Sequence, residues 1–412
     1  MSKTHSNILN NPLTLPCGAQ IKNRLCKSAM SENLASVVHS PTPLLTNLYG
    51  KWADGGIGLC ITGNIMIDSN ALGEPRNVVI EDESIIGELK SWAASGTQNK
   101  TQLWIQLNHP GKQSPNTLSK EPVAPSAIAF SGGLEKFFNP PRELDESEIK
   151  NLVQRFAKAA GIVKKAGFTG VQIHGAHGYL VSQFLSPNHN QRADDWGGSA
   201  ENRMRFLLEI YRAIRKTVGK KFPVGVKLNS SDFIHGGFTE DESIAVAEAL
   251  ADEGIDLIEI SGGTYERPAM TGRTGKGKAH EAEAYFLTYA AKIRSHVQTP
   301  LMITGGFRTS GGMAEAVTEN HIDLVGLARP MAIDPELPNK IFSGDNYAST
   351  VKPLTTGIKL IDKMALLEVT WYEQQLAYIA KQKNPKPDQS IWFSLAKTII
   401  ENGFQVFQKR RA

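Results

Sequence analysis

The chain of 412 residues is predicted to be an α/β protein, a (β/α)8 TIM barrel with an N-terminal hairpin and a C-terminal helical extension. Short apolar runs alternate with longer amphipathic segments, which is typical of parallel strands joined by helices. Several of these runs are apolar on both faces, as strands buried between two layers are. Eight such runs favour a closed barrel. The alternative is a doubly wound open sheet, and it is less favoured because no run is followed by a GxGxxG turn.

Most of the predicted strands are too short to be helices. In chain order they are Arg24–Ala29, Gly58–Thr62, Thr101–Leu107, Gly170–His174, Val224–Leu228, Leu257–Ser261, Leu301–Thr304 and Leu324–Leu327. In a barrel, reactive groups belong at the carboxyl ends of the strands, so the residues after each run are the candidates for a site.

Residues that start and stop helices punctuate the segments between the strands. Asp145 begins a helical pattern that stops at Gly167, and Ser199 can cap a helix beginning at Glu201. Thr239 followed by Glu242 has the spacing of a capping box. Further predictions are a helix end at Gly254 and helices at His280–His296 and Gly311–Asn320.

Two stretches lie outside the repeating unit. Leu13–Gln20 and Ile21–Lys27 are predicted to form a hairpin that closes the bottom of the barrel. From about Asn346 the chain carries two further helices, so we expect a barrel over residues 1–345 and an extension over residues 346–412. The first helix has an apolar stripe, and Pro385 and Pro387 separate it from a second at Ile391–Phe407. The stripe consists of Ile361, Met364, Leu367, Trp371 and Tyr378. Packing on the barrel is favoured over a dimer contact or a lid.

Composition excludes several classes of protein. The 45 Lys and Arg residues against 41 Asp and Glu leave a net charge of only +4, which gives no case for nucleic-acid binding. No apolar run reaches the ~20 residues of a membrane helix, and the polar start predicts a cytoplasmic location. Three cysteines are too few for an iron–sulfur centre. The sequence is compatible with a monomer or a homo-oligomer.

The ends of the seventh and eighth predicted strands have the features of a phosphate site. Gly305 and Gly306 would let backbone N–H groups approach an anion closely, and Arg329 can bind phosphate with its planar fork. Barrels often hold phosphate at this place. The sequence therefore predicts an anionic ligand there.

The end of the fourth predicted strand carries two histidines and a tyrosine. His174, His177 and Tyr179 could donate hydrogen bonds to a carbonyl oxygen, and a phenol can deliver a proton. The alternative is a metal site formed with His109, although neither HxH nor HExxH spacing occurs among these residues. No metal is therefore expected.

The stretch HGAHGYLVSQFLSPNHNQRADDWGGSAENRMRF, His174 to Phe206, resembles the signature of the old yellow enzyme family of flavin-dependent ene-reductases. The resemblance runs from about Leu13 to Ile341. LWIQLNHPGK, APSAI and MITGGF…VGLARP also match the family pattern.

The resemblance implies noncovalent FMN at the barrel mouth, reduced by NADPH or NADH. Hydride would then pass to the β-carbon of an α,β-unsaturated carbonyl compound, such as an activated alkene or a quinone. His174 and His177 would bind the carbonyl oxygen, and Tyr179 would donate the proton. The residues implied to contact the cofactor are Ser28, Ala29, Met30, Ser31, Gly63, Asn64, Gln106, Lys227, Gly305, Gly306, Phe307, Ala328 and Arg329.

Several positions depart from the family pattern. Ser31 stands where one branch has a redox-tuning cysteine, and Asn33 where it has a substrate-contacting tyrosine. Lys227 replaces the usual arginine near flavin N1, and Gly63-Asn64 replaces Glu-Ala. The runner-up functions are a metal-assisted hydrolase and a flavin-binding barrel without alkene reductase turnover.

Overall fold

The computed structural model describes residues 2–264, 266, 287–319, 321–352, 354–358 and 366–402. Its centre is a barrel of eight parallel strands, which confirms the predicted fold class. The strands are β1 (Leu25–Lys27), β2 (Leu59–Met66), β3 (Gln102–Asn108), β4 (Gly170–Gly175), β5 (Val224–Asn229), β6 (Leu257–Ser261), β7 (Leu301–Thr304) and β8 (Leu324–Leu327). The barrel closes because β8 pairs with β1, where Gly326 lies opposite Cys26.

The observed strands lie within a few residues of the predicted ones. β1 starts later than predicted, since the Asn23 side chain accepts a hydrogen bond from the Leu25 N–H and donates one to the Gly56 carbonyl. β2 runs on past its predicted end. A bulge between Ile61 and Asn64 allows this continuation.

The helices pack around the strands. In chain order they are α1 (Ser2–Leu9), α2 (Pro43–Asp54), α3 (Ile86–Gly96), α4 (Glu146–Ala166), α5 (Leu180–Leu185), α6 (Ala200–Val218), α7 (Glu240–Asp252), α8 (Leu287–Arg294), α9 (Ser310–Thr318), α10 (Arg329–Ile333), α11 (Leu337–Phe342), α12 (Leu366–Ala380) and α13 (Ile391–Asn402). Thr239 forms the predicted capping box at α7, and Asp145 and Ser199 cap α4 and α6 as predicted. Asp145 also forms a capping box with Glu148. Of the predicted helix at 280–296, residues 280–286 lie outside the described part.

The N-terminal hairpin lies at the amino ends of the barrel strands. Leu13 pairs with Ile21 and Thr14 with Gln20. The Cys17 N–H donates to Asp256, just before β6, over 2.8 Å. The prediction that the second hairpin strand continues to Lys27 is wrong, because the Asn23 turn separates it from β1.

An apolar layer fills the lower half of the barrel. Trp104 is fully buried at its centre, and the hairpin closes the layer from below. Glycine at 170 and 225 makes room for the indole, since a Cβ at Gly170 would lie 2.5 Å from its Nε1. The other members are Leu13, Leu15, Ile21, Cys26, Leu59, Ile61, Leu257, Met302 and Leu324.

The C-terminal helices pack on the outside of the barrel. α12 lies against α2, where Asn47 donates a side-chain hydrogen bond to the Ala380 carbonyl over 3.1 Å. α13 is described to Asn402, and the remainder of the predicted helix lies outside the described residues, as do Ile361 and Met364 of the predicted stripe. Across the described ranges, we find no helix with the length and apolar character needed to span a membrane.

Candidate active site

A layer of polar side chains lies above the apolar layer, inside the barrel. Glu259 on β6 is fully buried, and its Oε2 accepts a hydrogen bond from Gln172 Nε2 on β4 over 2.7 Å. Gln172 Oε1 in turn accepts from Gln106 Nε2 on β3 over 2.7 Å. These three side chains form one continuous chain of hydrogen bonds across the barrel. The chain rigidifies the floor beneath the mouth.

The other carboxylate oxygen of Glu259 makes a second set of contacts. Its Oε1 lies 2.9 Å from Lys227 Nζ and accepts a hydrogen bond from Thr304 Oγ1 over 2.6 Å. Thr304 Oγ1 lies 2.7 Å from Ser28 Oγ. Lys227 and Glu259 are both buried, so the predicted cation at 227 is half of an internal ion pair.

This layer fits the pyrimidine edge of a flavin, a planar ring system with an N–H between two carbonyls. Gln106 Oε1 is buried and has no hydrogen-bond partner among the described residues. Buried acceptors are nearly always paired in folded proteins. A ligand N–H above Gln106 would satisfy the orphaned oxygen.

The predicted phosphate residues lie at two neighbouring strand ends. β7 and β8 are paired with Thr304 opposite Gly326, so Gly305 and Arg329 follow adjacent strands. Gly305 and Gly306 have φ of 108° and 83°, a left-handed conformation that glycine adopts without strain. Phe307 and Ala328 directly adjoin these residues, and Thr309 caps the start of α9. The backbone can therefore curve around an anion here.

The two histidines lie side by side above the polar layer. The ring centroids of His174 and His177 are 5.1 Å apart. His174 Nδ1 accepts the Ala176 N–H over 3.3 Å, which puts the proton of the neutral ring on Nε2. His177 Nε2 lies 2.7 Å from Ser261 Oγ, and φ at His177 is 63°. Such a strained conformation often occurs at functional sites.

Tyr179 completes the predicted trio. Its ring centroid is 4.8 Å from that of His174, and its hydroxyl accepts a hydrogen bond from Asn64 Nδ2 over 3.2 Å. Accepting this hydrogen bond does not use the phenol's own proton. The bulge in β2 lies just before Asn64 and aims its side chain into the mouth. The apolar side chains that bury the phenol ring are Phe130, Leu134 and Phe138.

The segment after β1 carries Ala29, Met30 and Ser31. Ser31 Oγ contacts two carboxylates, donating to Glu74 and lying 3.0 Å from Glu373 Oε1. Glu373 belongs to α12, so the C-terminal extension reaches the predicted cofactor site. Both glutamates are buried.

A second buried group holds the same segment from beneath. Glu32 accepts hydrogen bonds from Tyr49 and from the Gly63 N–H, and it lies 3.8 Å from Lys27 Nζ. Burial raises the pKa of Glu32. A side chain at Gly63 would collide with the Met30 carbonyl, so a glycine is needed at this close approach.

His109, the third histidine of the metal alternative, is fully enclosed by the fold. His109 Nδ1 accepts the Gly111 N–H over 3.0 Å, and burial lowers the pKa of the ring to about 4. Within the described residues, no group of three or more His, Cys, Asp or Glu side chains is placed to hold a metal ion.

Gln172, Glu259, Glu74 and Glu373 belong to this region but were not predicted from the sequence. Gln172 and Glu259 are polar residues within apolar strands, a signal that could have identified them. Glu74 and Glu373 carry no such signal, because only the tertiary fold brings them to Ser31.

The chain is similar to known flavin oxidoreductases. The family model described as the NADH:flavin oxidoreductase / NADH oxidase family matches residues 9–347. The NADH-dependent flavin oxidoreductase iliE of Hypocrea jecorina (strain QM6a) is 36% identical over 393 residues, which are 89% of this chain and 97% of that protein. An NADPH dehydrogenase from Geobacillus sp. (strain WCH70) is 33% identical over 335 residues, 80% of this chain and 92% of its own.

The chain is also similar to solved structures of old yellow enzyme type. The old yellow enzyme homologue from Zymomonas mobilis has a TM-score of 0.71 and 27% identity, covering 83% of this chain and 94% of that one. Morphinone reductase has a TM-score of 0.69 and 25% identity, covering 83% and 91%.

Proposed function

Because the chain belongs to the NADH:flavin oxidoreductase / NADH oxidase family, we propose that it reduces the activated C=C bond of α,β-unsaturated carbonyl compounds. It is a flavin-dependent oxidoreductase that uses FMN with NADH or NADPH as reductant. When bound, FMN supplies two-electron redox chemistry, taking a hydride from the nicotinamide and releasing it to an acceptor. The overall change consumes one reduced nicotinamide and one proton for each double bond.

The observation that supports this proposal is the grouping of His174, His177 and Tyr179 at one strand end. An imidazole N–H aimed at the substrate carbonyl would stabilise the negative charge that develops on its oxygen. This interaction draws electron density from the alkene and makes its β-carbon the acceptor of hydride. Tyr179, whose oxygen accepts a hydrogen bond from Asn64, would then protonate the α-carbon.

The residues that would hold FMN lie around this trio. Gln106 and Lys227 would bind the pyrimidine edge, Ser28 to Ser31 with Gly63 would line the ring, and the strand ends at Gly305 and Arg329 would bind the phosphate.

An absorbance spectrum of the purified protein tests the proposal. We expect a flavin spectrum that bleaches on anaerobic addition of NADPH or NADH and returns on addition of cyclohexenone. Flavin that bleaches but does not recover with any enone would rule out alkene reduction and leave the oxidoreductase assignment intact.

Arg329→Ala is expected to raise the FMN dissociation constant by about 10- to 100-fold, because hydrogen bonds to a charged group contribute about 1.5–3 kcal/mol. Flavin fluorescence released on dilution measures this constant. Arg212→Ala is the control, since Arg212 is half-exposed on α6 and pairs with Glu209 and Glu253. Equal FMN retention by the two variants would contradict the phosphate role of Arg329.

A further inference from the structure

Glu259 is a fully buried carboxylate that lies below the proposed flavin site and is not expected to touch the ring. It receives contacts from three strands, through Gln172 on β4, Lys227 on β5 and Thr304 on β7. An ionised carboxylate can only accept hydrogen bonds. Every neighbour must therefore turn a donor toward it.

The need for donors around Glu259 fixes which atom donates in each of the hydrogen bonds that link Glu259, Gln172 and Gln106. Gln172 must point its NH2 group at Glu259, which leaves its carbonyl oxygen facing Gln106. Gln106 must then point its own NH2 group at Gln172. Its carbonyl oxygen is consequently turned away from the chain, and this is the buried atom that lacks a partner among the described residues.

The hydrogen bonds that link Glu259, Thr304 and Ser28 also have a fixed direction. Thr304 donates its single hydroxyl proton to Glu259, so the hydrogen bond between Ser28 and Thr304 has Ser28 as the donor. Ser28 thus keeps only acceptor capacity for a ligand above it. The hydrogen-bond series that end at Gln106 and at Ser28 therefore both present an acceptor, while Lys227 presents donors.

We propose that Glu259 is a positioning residue that sets the polarity of this layer, so that the Gln106 carbonyl oxygen is presented to a ligand N–H. The inference rests on the proposed placement of FMN above Gln106. Without the negative charge, a neutral amide at 259 could donate or accept, and the Gln106 amide would no longer have one required direction. A reversed amide would face the flavin N–H with a second donor.

The test measures FMN dissociation from the FMN-loaded protein by released fluorescence. Glu259→Gln is expected to raise the dissociation constant by about 5- to 100-fold, the effect of leaving one buried polar group unsatisfied. Gln172→Met interrupts the chain while leaving the Lys227–Glu259 pair in place, and it should weaken binding over the same range. When Gln106→Ala is already present, adding either substitution should change the FMN dissociation constant by no more than about twofold. The residue through which both substitutions act is then absent.

Asp256→Asn is the matched control. Asp256 is also buried, and it pairs with Arg215 over 2.6 Å just before the amino end of β6. It should leave FMN binding unchanged. The inference is overturned if Gln172→Met binds FMN like the wild type, or if the losses persist undiminished with Gln106→Ala. Gln172→Met decides the question even if Glu259→Gln does not fold. Wild-type protein that holds no FMN would instead refute the proposed function.

Discussion

Tyr179→Phe is expected to lower the rate of alkene reduction by about 10²- to 10⁴-fold, the range that a positioned general acid contributes. Reduction of the flavin by NADH or NADPH should stay near the wild-type rate, because that half-reaction needs no proton from the phenol. Removing one oxygen leaves the apolar contacts of the ring with Phe130 and Phe138 in place. Anaerobic stopped-flow absorbance at the flavin band measures the two half-reactions separately.

Tyr211→Phe provides the control for this experiment. Tyr211 is as deeply buried as Tyr179, but its hydroxyl donates to the Glu253 carbonyl on the outside of the barrel. Both half-reactions should be unaffected by its replacement. If Tyr179→Phe reoxidises with an enone at the wild-type rate, the proton comes from another group.

Trp104→Ala is expected to lower the free energy of unfolding by about 3–5 kcal/mol, the usual cost of removing a large aromatic side chain from a core. The loss should fall at the upper end, because closed strands around the indole cannot collapse into the cavity. Gly170 and Gly225 have no side chain to move into the space. Urea unfolding followed by circular dichroism measures the change.

Trp392→Ala is the matched control, since Trp392 on α13 is 49% exposed. Its replacement should change the free energy of unfolding by no more than about 0.5 kcal/mol, as surface substitutions usually do. Similar losses for the two variants would mean that Trp104 does not anchor the barrel interior.

The barrel could be predicted from the sequence because its strands are buried on both faces. Runs such as Leu301–Thr304 and Leu324–Leu327 are short and mostly apolar, and capping residues such as Asp145 and Ser199 mark the helices between the strands. Strand limits were less predictable. The start of β1 depends on Asn23 hydrogen bonds to Leu25 and to the distant Gly56, and periodicity carries no information on such contacts.

The candidate site residues that lie at strand ends or within the long His174–Phe206 motif could be predicted from the sequence. His174, His177 and Tyr179 are close in sequence, so their proximity follows from one strand end. The approach of Glu373 to Ser31 joins residues 342 positions apart. It depends on how α12 packs against α2, which no local pattern encodes. The assignment of the cofactor contacts stays a prediction until the variants above are measured.

The pairing of β1 with β8 has a consequence for synthesis of the chain on the ribosome. At about 5–20 residues per second, roughly 15–60 s pass between the emergence of Leu25 and that of Leu327. Until then the sheet has two open edges, and Leu13, Leu15 and Ile21 have no complete layer to cover. Incomplete chains of this kind expose apolar surface and aggregate unless chaperones bind them. A nascent chain arrested before residue 324 should therefore be a chaperone client, whereas the released full-length protein should not.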